Sequence, residues 1–265
     1  MQQVLTMENR EETPFITIIV AVLNNAGMLA RCLRSIADQT YHRKELIVMD
    51  GGSTDGTRSV IESFRDHIAW WESKPDRGIY HAWNKALVHG TGEWICFLGS
   101  DDYFWNRDVL TDLSPYLKKA ADSGIRVVYG RIAKLGADGQ VVRMEGKSWE
   151  KIRWLMPHGM PLPHPGLMHH RTLFRDHGLF DETFRIAGDY ELLLRELRNG
   201  RALFAEGVST VGCRTGGIAD TRKLLAQREV VRARRKNGLP AVTWLWLAVY
   251  IRSLIRTGWG RLKKR

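Results

Sequence analysis

The strongest constraint on the fold is a repeat of short, continuous apolar runs, each followed by a polar turn and then by a segment of helical period. Ile16 to Val22 is a β-branched run with no polar alternation beyond Thr17, which suits a strand covered on both faces. Asn24-Asn25-Ala26-Gly27 turns the chain, and Leu29, Leu33 and Ile36 then recur at helical spacing in a predicted helix from Met28 to Gln39. Leu46 to Met49 predicts a second strand ending at Asp50, and Gly51-Gly52-Ser53-Thr54-Asp55-Gly56 leads into a helix near Thr57 to Phe64. A third apolar run, Ile68 to Trp71, precedes a loop at Asp76-Arg77-Gly78 and a helix from Ile79 to His89. Trp94 to Leu98 predicts a fourth strand that runs straight into Ser100-Asp101-Asp102. Alternation of this kind predicts an α/β chain with a mostly parallel central sheet flanked by helices.

In such sheets ligands bind beyond the carboxyl ends of the strands, where loops and helix N-termini converge. Asp50, Asp76-Arg77 and Asp101-Asp102 all occupy that position, which predicts one site rather than three unrelated loops. Beyond Asp102 the pattern loosens into a helix near Asp108 to Lys119, a strand at Val127 to Arg131 and a hairpin through Gly136 to Gly139. Pro157, Pro161, Pro163 and Pro165 mark a long irregular segment, of a length usually reserved for function or motion. Helical pattern returns from Thr172 to His177 and from Gly188 to Leu197, and Ala202 to Val211 is strand-like.

With 265 residues, 44% of them hydrophobic, and ten Trp, the chain can bury a substantial core. Its three cysteines, Cys32, Cys96 and Cys213, are far apart with no CxxC pair, which excludes a disulfide framework or structural zinc and points to a reducing compartment. Met1 to Thr13 has no apolar core and cannot act as a secretory signal, so a flexible N-terminus and a cytoplasmic location are expected. The net charge of +11 is confined to the end of the chain: Arg222 to Arg265 holds 13 Lys and Arg against the single acid Glu229, whereas residues 1–221 hold 27 basic and 28 acidic side chains.

Four ordered motifs, Pro14-Phe15-Ile16-Thr17-Ile18-Ile19-Val20, Asp50-Gly51-Gly52-Ser53-Thr54-Asp55-Gly56-Thr57, Gly78-Ile79-Tyr80-His81-Ala82-Trp83-Asn84-Lys85-Ala86 and Ser100-Asp101-Asp102, resemble glycosyltransferase family 2 over about residues 14 to 215. The branch that builds bacterial exopolysaccharide, capsule or O-antigen units is the most similar. The resemblance implies a single A-type glycosyltransferase domain, Rossmann-like, over residues 14–220. Residues 14–105 would form its nucleotide-sugar half and 106–220 its acceptor half. It also implies a nucleotide-diphosphate-sugar donor, Mg²⁺ or Mn²⁺, and inversion at the anomeric carbon.

By the same resemblance Asp102 holds the metal, and Asp101 faces the ribose. Asp50 accepts from the pyrimidine base, while Val22 and Asn24 complete the nucleotide side. The chemistry fits the residue types, because a divalent cation stabilises a departing diphosphate and hard cations take oxygen ligands. Adjacent at the end of a strand, Asp101 and Asp102 are expected to diverge, one toward the metal and one toward the ribose or a water. Arg77 offers a fixed charge near the phosphates, Asn84 and Lys85 support from the following helix, and Asp55 is read as a turn or cap residue. Attack by an acceptor hydroxyl needs a base. Asp189, after Gly188 at a helix start, matches the family's base, and His164, set between Pro163 and Pro165, is expected on the acceptor or leaving-group side.

Residues 221–265 are read as a basic, apolar helical extension. Ala241 to Ile251 is too short to span a bilayer, and Arg252, Arg256 and Lys263 share one helical face opposite Trp244, Leu247, Ile251, Leu254 and Ile255. That pattern suits an anionic membrane surface and an acceptor that is itself lipid-linked, such as a polyprenyl-diphosphate saccharide on the inner face of a bacterial plasma membrane. Two rival functions are weighed. A nucleic-acid-binding protein would spread its charge along a groove with interleaved aromatics, so no nucleic-acid partner is expected. A nucleotidyltransferase would carry a glycine-rich, lysine-bearing phosphate loop after the first strand, where Ala21-Val22-Leu23-Asn24-Asn25 stands instead.

Overall fold

A computed structural model of the protein describes residues 13–217, 221–244 and 246–247. The expected flexible N-terminus up to residue 12, and the helical face built on Ile251, Arg252, Leu254, Ile255, Arg256 and Lys263, lie outside the described residues.

The predicted alternation is realised as β1 (Ile16–Val22), α1 (Ala26–Ala37), β2 (Lys44–Asp50), α2 (Thr57–Ser63), β3 (Trp70–Ser73), α3 (Ile79–His89) and β4 (Trp94–Gly99). After it come β5 (Tyr103–Phe104), α4 (Val109–Asp122), β6 (Val127–Leu135), β7 (Val141–Glu145), α5 (Trp149–Ile152), β8 (Met168–His170), α6 (Arg171–His177), α7 (Gly188–Leu197), β9 (Leu203–Arg214) and α8 (Lys223–Lys236). Among the described residues these strands form one sheet of order β3-β2-β1-β4-β8-β6-β9-β5, with β7 paired to β6. The pairs β1–β2, β1–β4 and β2–β3 are parallel, whereas β8 is antiparallel to both β4 and β6.

Strand order reverses between β1 and β4, since β2 lies on one side of β1 and β4 on the other. A crevice therefore opens at their carboxyl ends, at Val22 and at Gly99-Ser100-Asp101-Asp102.

Alternate residues of β1 explain the two apolar layers. Ile16, Ile18 and Val20 join Leu29, Leu33 and Ile36 of α1 and Leu110, Leu113 and Leu117 of α4 in one core. Ile19 points the other way, to Tyr80, Trp83 and Ala86 of α3 and to Tyr190, Leu193 and Leu194 of α7. With both faces covered, the strands need no polar alternation, and β4 is buried along its length from Trp94 to Leu98.

The Pro-rich stretch from Pro157 to Pro165 is irregular, as its composition implies. It is preceded by α5 and a 3-10 turn at Arg153–Leu155 and followed by β8, the short antiparallel strand that joins the two halves of the sheet. No helix among the described residues is long and apolar enough to cross a membrane.

Gly92 illustrates how tightly the sheet edge is closed. A Cβ there would lie 2.4 Å from the Thr17 backbone nitrogen, whereas nothing lies within 4 Å of one at Gly27 near the start of α1. Gly92→Ala is expected to lower stability in urea unfolding by about 1–3 kcal/mol, and Gly27→Ala to leave it unchanged or slightly raised.

Candidate active site

The two carboxylates at the end of β4 are placed by a turn. The Asp102 N–H donates to the Gly99 carbonyl at 3.0 Å, so the chain folds back as soon as the strand ends. Strand alternation does not set these two side chains, because Asp101 and Asp102 lie in the turn after β4. Instead Asp102 Oδ2 and Asp101 Oδ1 lie 2.8 and 3.0 Å from the point where a Cβ on Gly99 would sit. The carboxylates converge over a residue that has no side chain to keep them away.

Asp102 is buried, and Asp101 is exposed. Burial, then the neighbouring Asp101 charge, pushes the Asp102 carboxyl up to about 7, with Lys134 on β6 opposing the rise. A paired, oxygen-only, partly desolvated acid set is the environment that a divalent cation relieves. Among the described residues no cluster of three or more His, Cys, Asp or Glu gathers here or elsewhere, so the pair by itself offers an ion two side-chain ligands.

Beside this turn, Val22 and Leu23 after β1, Gly51 after β2, and Asp76, Gly78 and Ile79 around the start of α3 line a cavity of about 280 Å³. Its walls include two exposed aliphatic side chains, Leu23 and Ile79, an arrangement suited to holding a flat ring. Larger cavities exist, one of about 670 Å³ between the ends of α4, α6 and α7. There Arg126 is already bound by Glu196 and Asp176, and the cavity is remote in sequence from every post-strand motif.

Asn24 sits in the left-handed region at φ 50° and ties two loops together, its Oδ1 accepting from the Thr54 N–H at 2.8 Å while its own N–H donates to Ser53 Oγ at 2.7 Å. Asp50 is buried, and its oxygens accept from the Ser53 N–H, Ser53 Oγ and Ser73 Oγ. The carboxylate expected to receive a base is thus engaged in fixing the Gly51–Ser53 turn. Asp55 caps as expected, accepting from the Thr57 and Ala26 N–H groups at 3.1 Å each.

Arg77 is 70% exposed and pairs with Glu182 at 2.5 Å. A second cation, Arg185, has its Nη1 2.7 Å from where a Cβ on Gly78 would be, and no ion-pair partner among the described residues. No sequence motif singles it out. Asn84 is buried and bridges to the Phe180 carbonyl and Glu182, and Lys85 pairs with Glu72 and Asp76.

Asp189 is the second residue of α7 and is 21% exposed at its side chain. Its Oδ1 is 3.4 Å from the Tyr80 hydroxyl, and its Oδ2 is 3.9 Å from His164 Nδ1. His164 is not presented at a loop tip, despite its flanking prolines. It is stacked against Trp83 with ring centroids 5.5 Å apart, lies beside Phe97 and His169, and is 10% exposed. Burial holds its pKa below the ordinary imidazole range against the opposing pull of Asp189, so at neutral pH it is an uncharged neighbour of that carboxylate. The fold brings Asp189 and His164 together, with the imidazole packed among aromatic side chains.

The basic extension is also reached by the fold. Helix α8 packs along α7, with Ala233 and Arg234 fully buried and Arg232 lying 4.3 Å above the Phe184 ring. The second half of α8 is thus packed onto the rest of the fold, whereas Lys223 at its start is exposed. The apolar residues after it remain in part exposed: Val242, Trp244 and Leu247, and Trp154 from the Pro-rich segment, while Trp246 lines a cavity with Leu155 and Met160.

Sheet order, crevice and acid pair define an A-type glycosyltransferase fold. Solved structures agree. Staphylococcus aureus TarS, residues 1–349 in complex with UDP-GlcNAc, superposes with a TM-score of 0.64 at 20% identity over 82% of this chain and 64% of that one. The mannosyltransferase PcManGT from Pyrobaculum calidifontis, in complex with GDP-Man and Mn²⁺, gives 0.62 at 23% identity over 84% and 64%. The chain thus spans just under two thirds of those solved chains. The profile of Glycosyl transferase family 2 matches residues 17–188, and the chain belongs to that family. Among curated relatives, a PGL/p-HBAD biosynthesis glycosyltransferase of Mycobacterium bovis is 29% identical over 70% of this chain and 71% of its own length. An uncharacterized glycosyltransferase of Mycobacterium tuberculosis is 30% identical over 69% and 68%.

If the cavity beside Gly78 receives a base, a charge in its wall must weaken nucleotide binding. Ile79→Asp is expected to raise the Kd for UDP or GDP by about tenfold or more in calorimetric titration, with the unfolding transition unchanged.

Proposed function

We propose that the chain is an inverting glycosyltransferase that moves a sugar from a nucleotide-diphosphate sugar to an acceptor hydroxyl. The convergence of Asp101 and Asp102 over Gly99, next to an aliphatic cavity of nucleobase size, is the observation that carries this reading. Val22, Leu23 and Ile79 bind the base, and Asn24 and Asp50 hold the loops that form its slot. Asp101 faces the ribose. Asp102 holds Mg²⁺ or Mn²⁺, which when bound neutralises the departing diphosphate; the Mn²⁺ named with GDP-Man in the Pyrobaculum complex supports that choice of ion. Arg185, lying against Gly78 with no ion-pair partner among the described residues, is a better source of a phosphate-facing charge than Arg77, which Glu182 already engages.

Asp189 is the base. As the acceptor oxygen bonds to the anomeric carbon, the bond from that carbon to the diphosphate oxygen breaks on the opposite face, and the acceptor proton passes to the Asp189 carboxylate. Neutral His164 and the Tyr80 hydroxyl orient that carboxylate. An acceptor carried on a polyprenyl diphosphate, met at the inner face of a bacterial plasma membrane, is supported by the basic and apolar end of the chain and by exposed Trp154 and Trp244.

Three outcomes follow. Asp102→Ala is expected to abolish metal-stimulated turnover with the fold intact by circular dichroism, and chelator-sensitive turnover at the wild-type rate would refute the metal role. Asp189→Asn is expected to keep donor binding and lose about 10²- to 10⁴-fold in transfer rate. In co-sedimentation, anionic vesicles are expected to retain the full chain and not a chain ending at Asn237; equal retention would remove the membrane assignment.

A further inference from the structure

The one acid in the basic end of the chain is not on its surface. Glu229, in the middle of α8, is buried, and its two oxygens accept three backbone hydrogen bonds. They come from consecutive N–H groups: Arg185 at 2.9 Å, Ile186 at 2.8 Å and Ala187 at 2.9 Å. These residues form the turn that ends at Gly188, where α7 begins, with Asp189 as its second residue. Ala187 stands at the N-cap position, where Ser, Thr, Asp or Asn would ordinarily supply an oxygen to the first turn, and no side-chain cap is made there. A carboxylate from a helix more than forty residues further along satisfies the turn instead, and it does so at the positive end of the α7 dipole.

The other side of the turn is held as firmly. The Tyr80 hydroxyl donates to the Ile186 carbonyl at 2.7 Å, and the Tyr80 ring lies where any Cβ on Gly188 would have to go, 2.7–2.9 Å away. The same α8 helix reaches α7 again through Lys236, whose Nζ is 3.1 Å from the fully buried Glu191 and 2.9 Å from Asp181.

We propose that Glu229 is a positioning residue for the reaction: it fixes the turn Arg185–Ala187 and thereby the place of the Asp189 carboxylate, making α8 a working part of the catalytic centre. The proposal rests on Asp189 being the base. Its physical warrant is that a buried charge accepting three short, charge-assisted bonds leaves the turn little freedom, while a reacting group displaced by about 1 Å loses on the order of a hundredfold in rate. Arg185 shares the effect, since its backbone is clamped by Glu229 and its guanidinium lies against Gly78.

The test uses the full chain and four forms: wild type, Glu229→Ala, Asp189→Asn and the double variant. Single-turnover transfer is measured with donor and a soluble saccharide acceptor, and amide hydrogen exchange is followed by mass spectrometry. Glu229→Ala is expected to lower the transfer rate by about tenfold or more, with donor KM changed by less than about threefold, and to speed exchange in peptides spanning Arg185–Ala187. Added to Asp189→Asn, it is expected to cost less than about threefold, because the group it positions is already gone. Should Glu229→Ala fail to fold, Glu229→Gln, which keeps the size and one acceptor oxygen, is put through the same comparison.

A wild-type transfer rate in a variant whose Arg185–Ala187 amides have been released would overturn the proposal. So would a full multiplicative loss on the Asp189→Asn background. Normal transfer by Asp189→Asn alone would remove the base assignment and this proposal with it, and is recognised before Glu229 is changed.

Discussion

Much of this molecule depends on two negative charges being forced together at the end of a buried strand. Asp101 and Asp102 converge over Gly99 because the chain turns back there, and desolvation raises the Asp102 carboxyl to about 7. Left to itself the arrangement is unfavourable, since burial and a like charge both penalise ionisation. The rest of the fold makes it possible. β4 is buried on both faces and cannot shift, Cys32 of α1 lies under the turn with its Sγ 3.5 Å from the Gly99 carbonyl, and Asn25 reaches across to Ser100 at 3.0 Å. A site that concentrates negative charge on fixed oxygens, beside an aliphatic slot and near Arg185, which has no ion-pair partner among the described residues, is suited to a cation and an anionic ligand together.

The first half of the chain is legible from sequence because its elements obey local rules. The β-branched run at Ile16–Val22, the spacing of Leu29, Leu33 and Ile36, and the helix from Ile79 to His89 each follow from periodicity and flanking glycines. The candidate site was legible as a set of positions and less so as a set of roles. Asp101-Asp102 and Asp189 could be found from their motifs, yet the acid pair lies in a turn, where strand alternation does not set its side chains. Asp50 and Arg77, both plausible ligand contacts by type, also bond to Ser53, Ser73 and Glu182, partners that only the folded chain brings near. His164 shows the opposite error: prolines on both sides suggested display, and the aromatic neighbours that bury it come from α3 and β4.

The end of the chain was the hardest part to read, for a definite reason. Thirteen basic residues against one acid look like a solvated or membrane-facing face, and averaging hides the single exception. Glu229 is that exception, and its burial against three backbone N–H groups ties α8 to the turn before Asp189. Lone charges that break a strong compositional trend are a signal worth testing against the core, because such a residue either is paired or is costly. Beyond α8, exposed Trp244 and Leu247 keep the membrane-facing expectation open to experiment on different residues from those that pack.

The central claim is that Asp101 and Asp102 serve a metal-assisted departure of a nucleoside diphosphate. It is tested most directly by incubating the full chain with a panel of nucleotide-diphosphate sugars, with Mg²⁺ or Mn²⁺ and then with chelator, and identifying the nucleotide product by chromatography. Nucleoside diphosphate is expected from at least one donor, with release stopped by chelation and restored by added metal. Release of pyrophosphate on incubation with a sugar phosphate and a nucleoside triphosphate would contradict it and assign the site to nucleotidyl transfer instead.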